Sequence, residues 1–133
     1  MGTVGYLLDT HTFLWAVHEQ DSRLSKNVQS LLKAADSPIY VSAASAYEIM
    51  NKYRIGKLIG YSHVADNYLE IFDKFGAIEL PISTKHAHYA GKFEWDHRDP
   101  FDRILAAQAF ISNLTLISND PAFQSLPWVT VLW

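Results

Sequence analysis

The sequence of 133 residues contains no cysteine. This absence excludes a disulfide-linked scaffold, zinc or iron–sulfur sites with cysteine ligands, and thiol catalysis. Charged residues are also few, at 19% of the chain against 49% hydrophobic residues, which excludes a disordered polypeptide and indicates a packed hydrophobic core. For a chain of this length we expect one domain, covering residues 1–133.

Long apolar runs are missing as well. No stretch approaches the 18 or so consecutive apolar residues of a transmembrane helix, and the residues before Asp9 lack the basic and apolar regions of a secretory signal. We therefore expect a cytoplasmic protein that does not contact membranes.

The chain has no excess of positive charge, because its formal net charge is −3. Taken alone, this value speaks against nucleic-acid binding. Subtracting four carboxylates gathered around a metal ion from that total would leave +1. An acidic total is thus compatible with a neutral or basic surface around an acidic site.

Short apolar segments alternate with helical patterns. Segments bounded by glycine, proline, aspartate or asparagine predict strands at residues 4–8, 39–41, 77–80, 114–117 and 129–132. Apolar residues at helical spacing predict helices at residues 12–18, 25–35, 42–54, 64–75, 83–91 and 99–111. This alternation predicts an α/β sandwich whose sheet is mainly parallel.

Four acidic residues occupy positions typical of a ligand site in such a sheet. Asp9 directly follows the first predicted strand, and Asp120 closely follows the fourth. Asp102 lies in the first turn of the helix that begins after Asp99, and Glu48 lies among small and apolar residues of its helix. Ligands of parallel sheets bind beyond the carboxyl ends of the strands, so we expect these acids to converge there.

Converging carboxylates raise one another's pKa values, and a divalent cation relieves that repulsion. All-oxygen ligands favour Mg²⁺ or Mn²⁺ over zinc. Such a cation can bind a phosphate oxygen and activate an attacking water. The residues therefore suggest a metal-dependent phosphodiester hydrolase.

Each acid also has a structural explanation. Asp99 is well placed to cap a helix, and Asp102 could interact only with the helix dipole. Asp9 and Asp120 could be ordinary loop residues, and Glu48 could be exposed to solvent.

Several segments resemble the PIN-domain family, and more narrowly the VapC-type toxins of bacterial type II toxin–antitoxin modules. The resemblance rests on residues 8–11 (LDTH), 41–49 (VSAASAYEI), 54–58 (RIGKL), 97–109 (HRDPFDRILAAQA) and 116–120 (LISND). It implies a sandwich of helices around a five-stranded sheet of order 3-2-1-4-5.

The resemblance also implies a Mg²⁺- or Mn²⁺-dependent endoribonuclease. The acids that match the family's metal-binding and catalytic residues are Asp9, Glu48, Asp102 and Asp120, with Asp99 as an additional metal-binding candidate. Thr10 and Ser118 match supporting hydroxyl groups. Family members usually form homodimers and are blocked by a VapB-like antitoxin, so we expect both partners.

RNA binding requires cations near the acidic site. The candidates near Glu48 and Asp102 are Lys52, Arg54, Lys57, Arg98 and Arg103. Ordinary solvated surface charge is the alternative for each of them, and Arg103 could instead be a structural partner. His97 adjoins the acidic motif and could contact substrate or simply pack.

Other functions remain open from the sequence. A phosphoacceptor domain would need paired acids after the first strand and a lysine after the last, and neither is present. A non-catalytic binding module and a housekeeping RNA-processing nuclease of the same fold are the remaining alternatives. The resemblance favours the toxin.

Overall fold

The computed structural model describes residues 3–18, 23–34 and 36–133. Its centre is a five-stranded sheet with the strand order β3-β2-β1-β4-β5, in which every pairing is parallel. The strands are β1 Tyr6–Leu8, β2 Ile39–Ser42, β3 Ile78–Leu80, β4 Thr115–Ile117 and β5 Val131–Leu132. The expected α/β fold and its strand order are thus confirmed.

Seven α-helices and one 3-10 helix connect the strands in the described parts of the chain. The α-helices are α1 Thr10–Val17, α2 Lys26–Ala34, α3 Ala43–Arg54, α4 Ser62–Asp66, α5 Tyr68–Phe75, α6 Thr84–Lys92 and α7 Pro100–Ile111. The 3-10 helix is Pro121–Ser125, which the sequence patterns did not predict. None of these helices is both long and apolar enough to cross a bilayer.

Successive residues of the strands face opposite sides of the sheet, because side chains alternate along a strand. Leu7 and Leu116 pack with residues of α7 in one core cluster. Leu8 and Ile117 pack with residues of α1, α2 and α3 in another. Both sides of the sheet centre are therefore covered, which explains why the central strands β1 and β4 are largely apolar and buried.

The predicted helix at residues 64–75 is two helices in the structure. The break lies at Asn67, whose side-chain Nδ2 donates to the backbone oxygen of His63 at 2.9 Å. Asparagine side chains often compete with helical backbone hydrogen bonds in this way. The predicted helix at residues 25–35 matches α2 up to Ala34, and residue 35 lies outside the described residues.

Candidate active site

Parallel pairing brings the carboxyl ends of the strands to one edge of the sheet. Leu8 of β1 is in register with Ile117 of β4, so Asp9 and Ser118 follow their strands side by side. The backbone N–H of Asp9 donates to the carbonyl of Ile117 at 3.1 Å. This edge holds the candidate site.

Asp9 is buried and caps helix α1, because its Oδ1 accepts the backbone N–H of Thr12 at 2.8 Å. Burial raises the pKa of Asp9, and hydrogen bonds from Ser118 and Thr12 oppose the rise in part. Ser118 also accepts the backbone N–H of Asp120 on its Oγ at 3.0 Å. A single hydroxyl thus connects Asp9 to the segment that carries Asp120.

Glu48 is buried in α3, with only 3% of its surface exposed. Thr10 donates from its hydroxyl to Glu48 Oε1 at 2.6 Å, and Lys52 Nζ donates to Oε2 at 2.6 Å. The Thr10 hydroxyl also lies 2.9 Å from that of Ser45, one turn before Glu48. These contacts satisfy both carboxylate oxygens, as a buried carboxylate requires.

Asp102 and Asp120 meet at the start of α7, together with His97. One ligand atom from each of these three residues lies within 4.8 Å of the other two. His97 Nε2 is 2.6 Å from Asp102 Oδ2. The pKa of Asp102 is raised to about 6, mainly by burial and also by the negative charges of Asp99 and Glu48, while the hydrogen bond with His97 acts in the opposite direction.

Asp99 is the N-cap of α7, since its Oδ1 accepts the backbone N–H groups of Phe101 and Asp102 at 2.9 and 3.2 Å. The structural explanation for this residue is therefore correct. Asp99 still contributes negative charge to the environment of Asp102.

The donor set fits a divalent cation. Two carboxylates of remote segments lie together, and the pKa of one of them is raised by burial and by further negative charge. A hard cation would neutralise this charge and accept both carboxylates as ligands. The neighbouring imidazole of His97 adds a nitrogen donor that transition metals accept more readily than Mg²⁺ does.

Arg103 has a structural position. Its guanidinium donates to the backbone carbonyls of Ala90, Phe93, Trp95 and His97. Its charge also lies over the Phe93 ring, 4.3 Å from the centroid. Arg103 therefore supports the segment before α7. The RNA contact predicted for Arg103 stays a prediction.

The other predicted RNA-binding cations lie around α3 and α7. Lys52 contacts Glu48, whereas Lys57 and Arg98 are exposed. Arg54 is exposed and donates to the side-chain oxygen of Asn51. Only Lys52 among these four is in direct contact with a candidate acid in the described structure.

Two contributors to the site, Ser45 and Thr12, received no role from the sequence, and for His97 the sequence suggested only a substrate contact or packing. His97 joins the carboxylates, Ser45 supports Thr10, and Thr12 donates to the Ile117 carbonyl at 3.1 Å while its backbone N–H binds Asp9. The helical spacing of Ser45 and Glu48 could have indicated the supporting role of Ser45. No sequence signal indicated that His97 folds back onto Asp102.

Comparisons with known proteins agree with this architecture. The family model for the PIN domain matches residues 6–129. A comparison with curated protein sequences gave no match.

Solved structures share the fold at low sequence identity. One is a chain of VapBC2 from Rickettsia felis, bound to a DNA fragment from its promoter; it has a TM-score of 0.66 and 21% identity, over 96% of this chain and 98% of that chain. DNA-bound VapBC from Salmonella typhimurium gives a TM-score of 0.67 and 16% identity, over 97% of both chains. FitAcB from Neisseria gonorrhoeae gives a TM-score of 0.66 and 21% identity, over 96% of both chains. Because the family model spans most of the sequence, the chain belongs to the PIN domain family.

Proposed function

We propose that this protein is an endoribonuclease dependent on Mg²⁺ or Mn²⁺, that residues 1–133 form one PIN domain, and that it is the toxin of a type II toxin–antitoxin pair. The observation that carries the nuclease proposal is the convergence of Asp102 and Asp120 within 4.8 Å at the edge where Asp9 also lies. Membership of the PIN family supports it. The fold shared with VapBC and FitAcB chains supports the toxin assignment.

In this proposal Asp9, Glu48, Asp102 and Asp120 are the metal-binding and catalytic acids. A bound cation would activate a water molecule and stabilise charge on the phosphate oxygens. The chain's own residues set the positions of these acids: Thr10 fixes Glu48, and Ser118 links Asp9 to the backbone of Asp120. The ammonium of Lys52, beside Glu48, is available to contact a phosphate at the rim.

The direct test is cleavage of structured RNA by the purified protein with Mg²⁺ or Mn²⁺. We expect cleavage by the wild type and a loss of at least about hundredfold in Asp9→Asn, because removing one electrostatic group from such a site costs that much. Asp73→Asn, a change at an exposed acid of α5, is the matched control and should cleave at the wild-type rate. Equal cleavage by wild type and Asp9→Asn would contradict the proposal.

The toxin assignment needs a separate experiment. Induced expression in a bacterium should arrest growth with the wild type but not with Asp9→Asn. Coexpression of a small neighbouring reading frame that encodes the antitoxin should restore growth. Cleavage in vitro without growth arrest would instead assign the protein to housekeeping RNA processing. Light scattering of the purified chain would test the proposed homodimer.

A further inference from the structure

A cavity of about 590 Å³ opens beside the carboxylates of Asp102 and Asp120. It lies between the segment before α7 and the 3-10 helix, and its wall includes Trp95, His97 and Ser125. His97 also belongs to the group formed with Asp102 and Asp120. Whatever occupies the cavity is therefore adjacent to the place where the proposed function puts the reacting phosphate.

Aromatic rings of fixed orientation form one side of this cavity. The centroids of Trp95 and His97 are 4.7 Å apart. The indole N–H of Trp95 donates to Ser125 Oγ at 2.9 Å, and its ring packs against Phe123, which is fully buried. The imidazole of His97 is held by Asp102. These contacts order the two rings before any ligand binds. Because their planes are tilted by 50°, a planar ligand can lie flat on one ring and meet the other at its edge.

The backbone under these rings is fixed as well. Arg103 binds the carbonyls of both Trp95 and His97. These bonds hold an irregular segment in one conformation, which lowers the ordering cost of binding.

The charge of the cavity favours a base over a phosphate. Glu94 and Asp96 lie on its wall and are exposed, and no lysine or arginine is among its lining residues in the described chain. Carboxylates accept hydrogen bonds from the amino and imino groups of nucleobases. The phosphate belongs with the neighbouring metal-binding acids.

We propose that this cavity is a nucleobase subsite of the enzyme, in which a base next to the cleaved phosphate packs on Trp95 and His97. The subsite prefers guanine, because its N1–H and N2 amino group can both donate to a carboxylate of Glu94 or Asp96. Stacking on aromatic side chains is a general means of holding single-stranded RNA. This inference rests on the proposed nuclease function.

The test uses the indole N–H signals of the four tryptophans in an NMR titration of the whole protein. The ligands are guanosine 5′-monophosphate, uridine 5′-monophosphate and ribose 5-phosphate, which have a phosphate in common. We expect guanosine monophosphate to shift the Trp95 signal saturably and to bind at least about tenfold more tightly than ribose 5-phosphate. Uridine monophosphate should bind more weakly than the guanosine nucleotide, and Trp15 and Trp133 should not shift.

Two variants separate stacking from general loosening of the fold. Trp95→Leu should abolish the tenfold advantage in affinity that guanosine monophosphate has over ribose 5-phosphate. The affinities are then read from backbone amide signals. Like Trp95, Trp128 packs on the Phe93 ring, but it does not line the cavity, so Trp128→Leu should keep that advantage. Equal losses in both variants, or equal binding of the base-free sugar phosphate, would overturn the subsite.

The subsite and the nuclease can fail independently. If the wild type cleaves RNA but guanosine monophosphate leaves the Trp95 signal in place, the subsite is wrong and the nuclease stands. If the nucleotide shifts Trp95 but no cation supports cleavage, the proposed function fails although the cavity binds a base. A shift of Trp95 by a short arginine-containing peptide, with none by nucleotides, would assign the cavity to a protein partner and overturn the inference.

Discussion

The Asp102 carboxylate lies in an environment that disfavours its charge. Burial is the largest cause of its raised pKa, and the charges of Asp99 and Glu48 add to it. The hydrogen bond with His97 offsets only part of this effect. Such an arrangement costs folding stability in return for a site that attracts a cation.

We predict that Asp102→Asn stabilises the protein at pH 8. The pKa of Asp102 is raised from its ordinary 3.8 to about 6 in the folded state, so the folded state binds the proton more tightly than the unfolded state does. The favourable contribution of protonated Asp102 to the free energy of unfolding is therefore present below pH 3.8 and is lost as the pH rises through about 6. With the side chain only 18% exposed, removing the charge should add about 2 kcal/mol at pH 8.

The measurement is urea unfolding of wild type and variant, without divalent cations, at pH 8 and near pH 4. The difference should be present at the higher pH and shrink towards zero at the lower one. Asp73→Asn, at an exposed position, should change stability at neither pH. A lower stability of Asp102→Asn at pH 8 would show that the charge is better solvated than the structure indicates.

Between α6 and α7 the chain forms no regular element, yet it builds one side of the candidate site. The guanidinium of Arg103 replaces the missing backbone hydrogen bonds by donating to the carbonyls of Phe93, Trp95 and His97. Its planar fork suits several acceptors at once, which a lysine ammonium does not match. The position of His97 therefore depends on a residue of the following helix.

We predict that Arg103→Lys lowers the free energy of unfolding by at least about 2 kcal/mol, although the charge is kept. The expected cause is that partly buried carbonyls lose their donors. Arg54→Lys, at an exposed arginine of α3, should change stability by less than about 0.5 kcal/mol. Urea unfolding of both variants against wild type measures the difference, and equal stability of the two would refute the supporting role of Arg103.

At the scale of the whole molecule, the sheet determines where the acids meet. β1 and β4 are neighbours although more than a hundred residues separate Leu8 from Ile117, and their parallel pairing places Asp9 beside Ser118. Helix α7 starts at the same edge, where Asp102 approaches Asp120. A cation bound by Asp102 and Asp120 would connect helix α7 to the segment after β4, and so would favour the folded state.

We predict that Mg²⁺ or Mn²⁺ raises the melting temperature of the wild type by about 5 to 10 °C at a hundredfold excess over the dissociation constant. Asp120→Asn should lose most of this increase because it removes one of the two converging carboxylates. Differential scanning calorimetry measures the shift, with sodium chloride of equal ionic strength as the salt control and Asp73→Asn as the variant control. An equal shift in wild type and Asp120→Asn would place the cation elsewhere.

Much of the fold could be predicted because local patterns agreed with the tertiary structure. The apolar central strands, the Asp99 cap and the placement of acids after strands are local features. The patterns did not predict the break at Asn67 or the 3-10 helix, since both depend on side-chain and loop hydrogen bonds that leave little periodicity.

The sequence by itself determined the class of fold and the acidic residues available for a site, because apolar periodicity and strand-end carboxylates are properties of short segments. The tertiary structure alone decided which of these groups meet. It brought His97 onto Asp102 and assigned Arg103 to backbone carbonyls. Those contacts depend on the path of an irregular segment, and that path is set by packing and hydrogen bonds between remote residues rather than by any local preference.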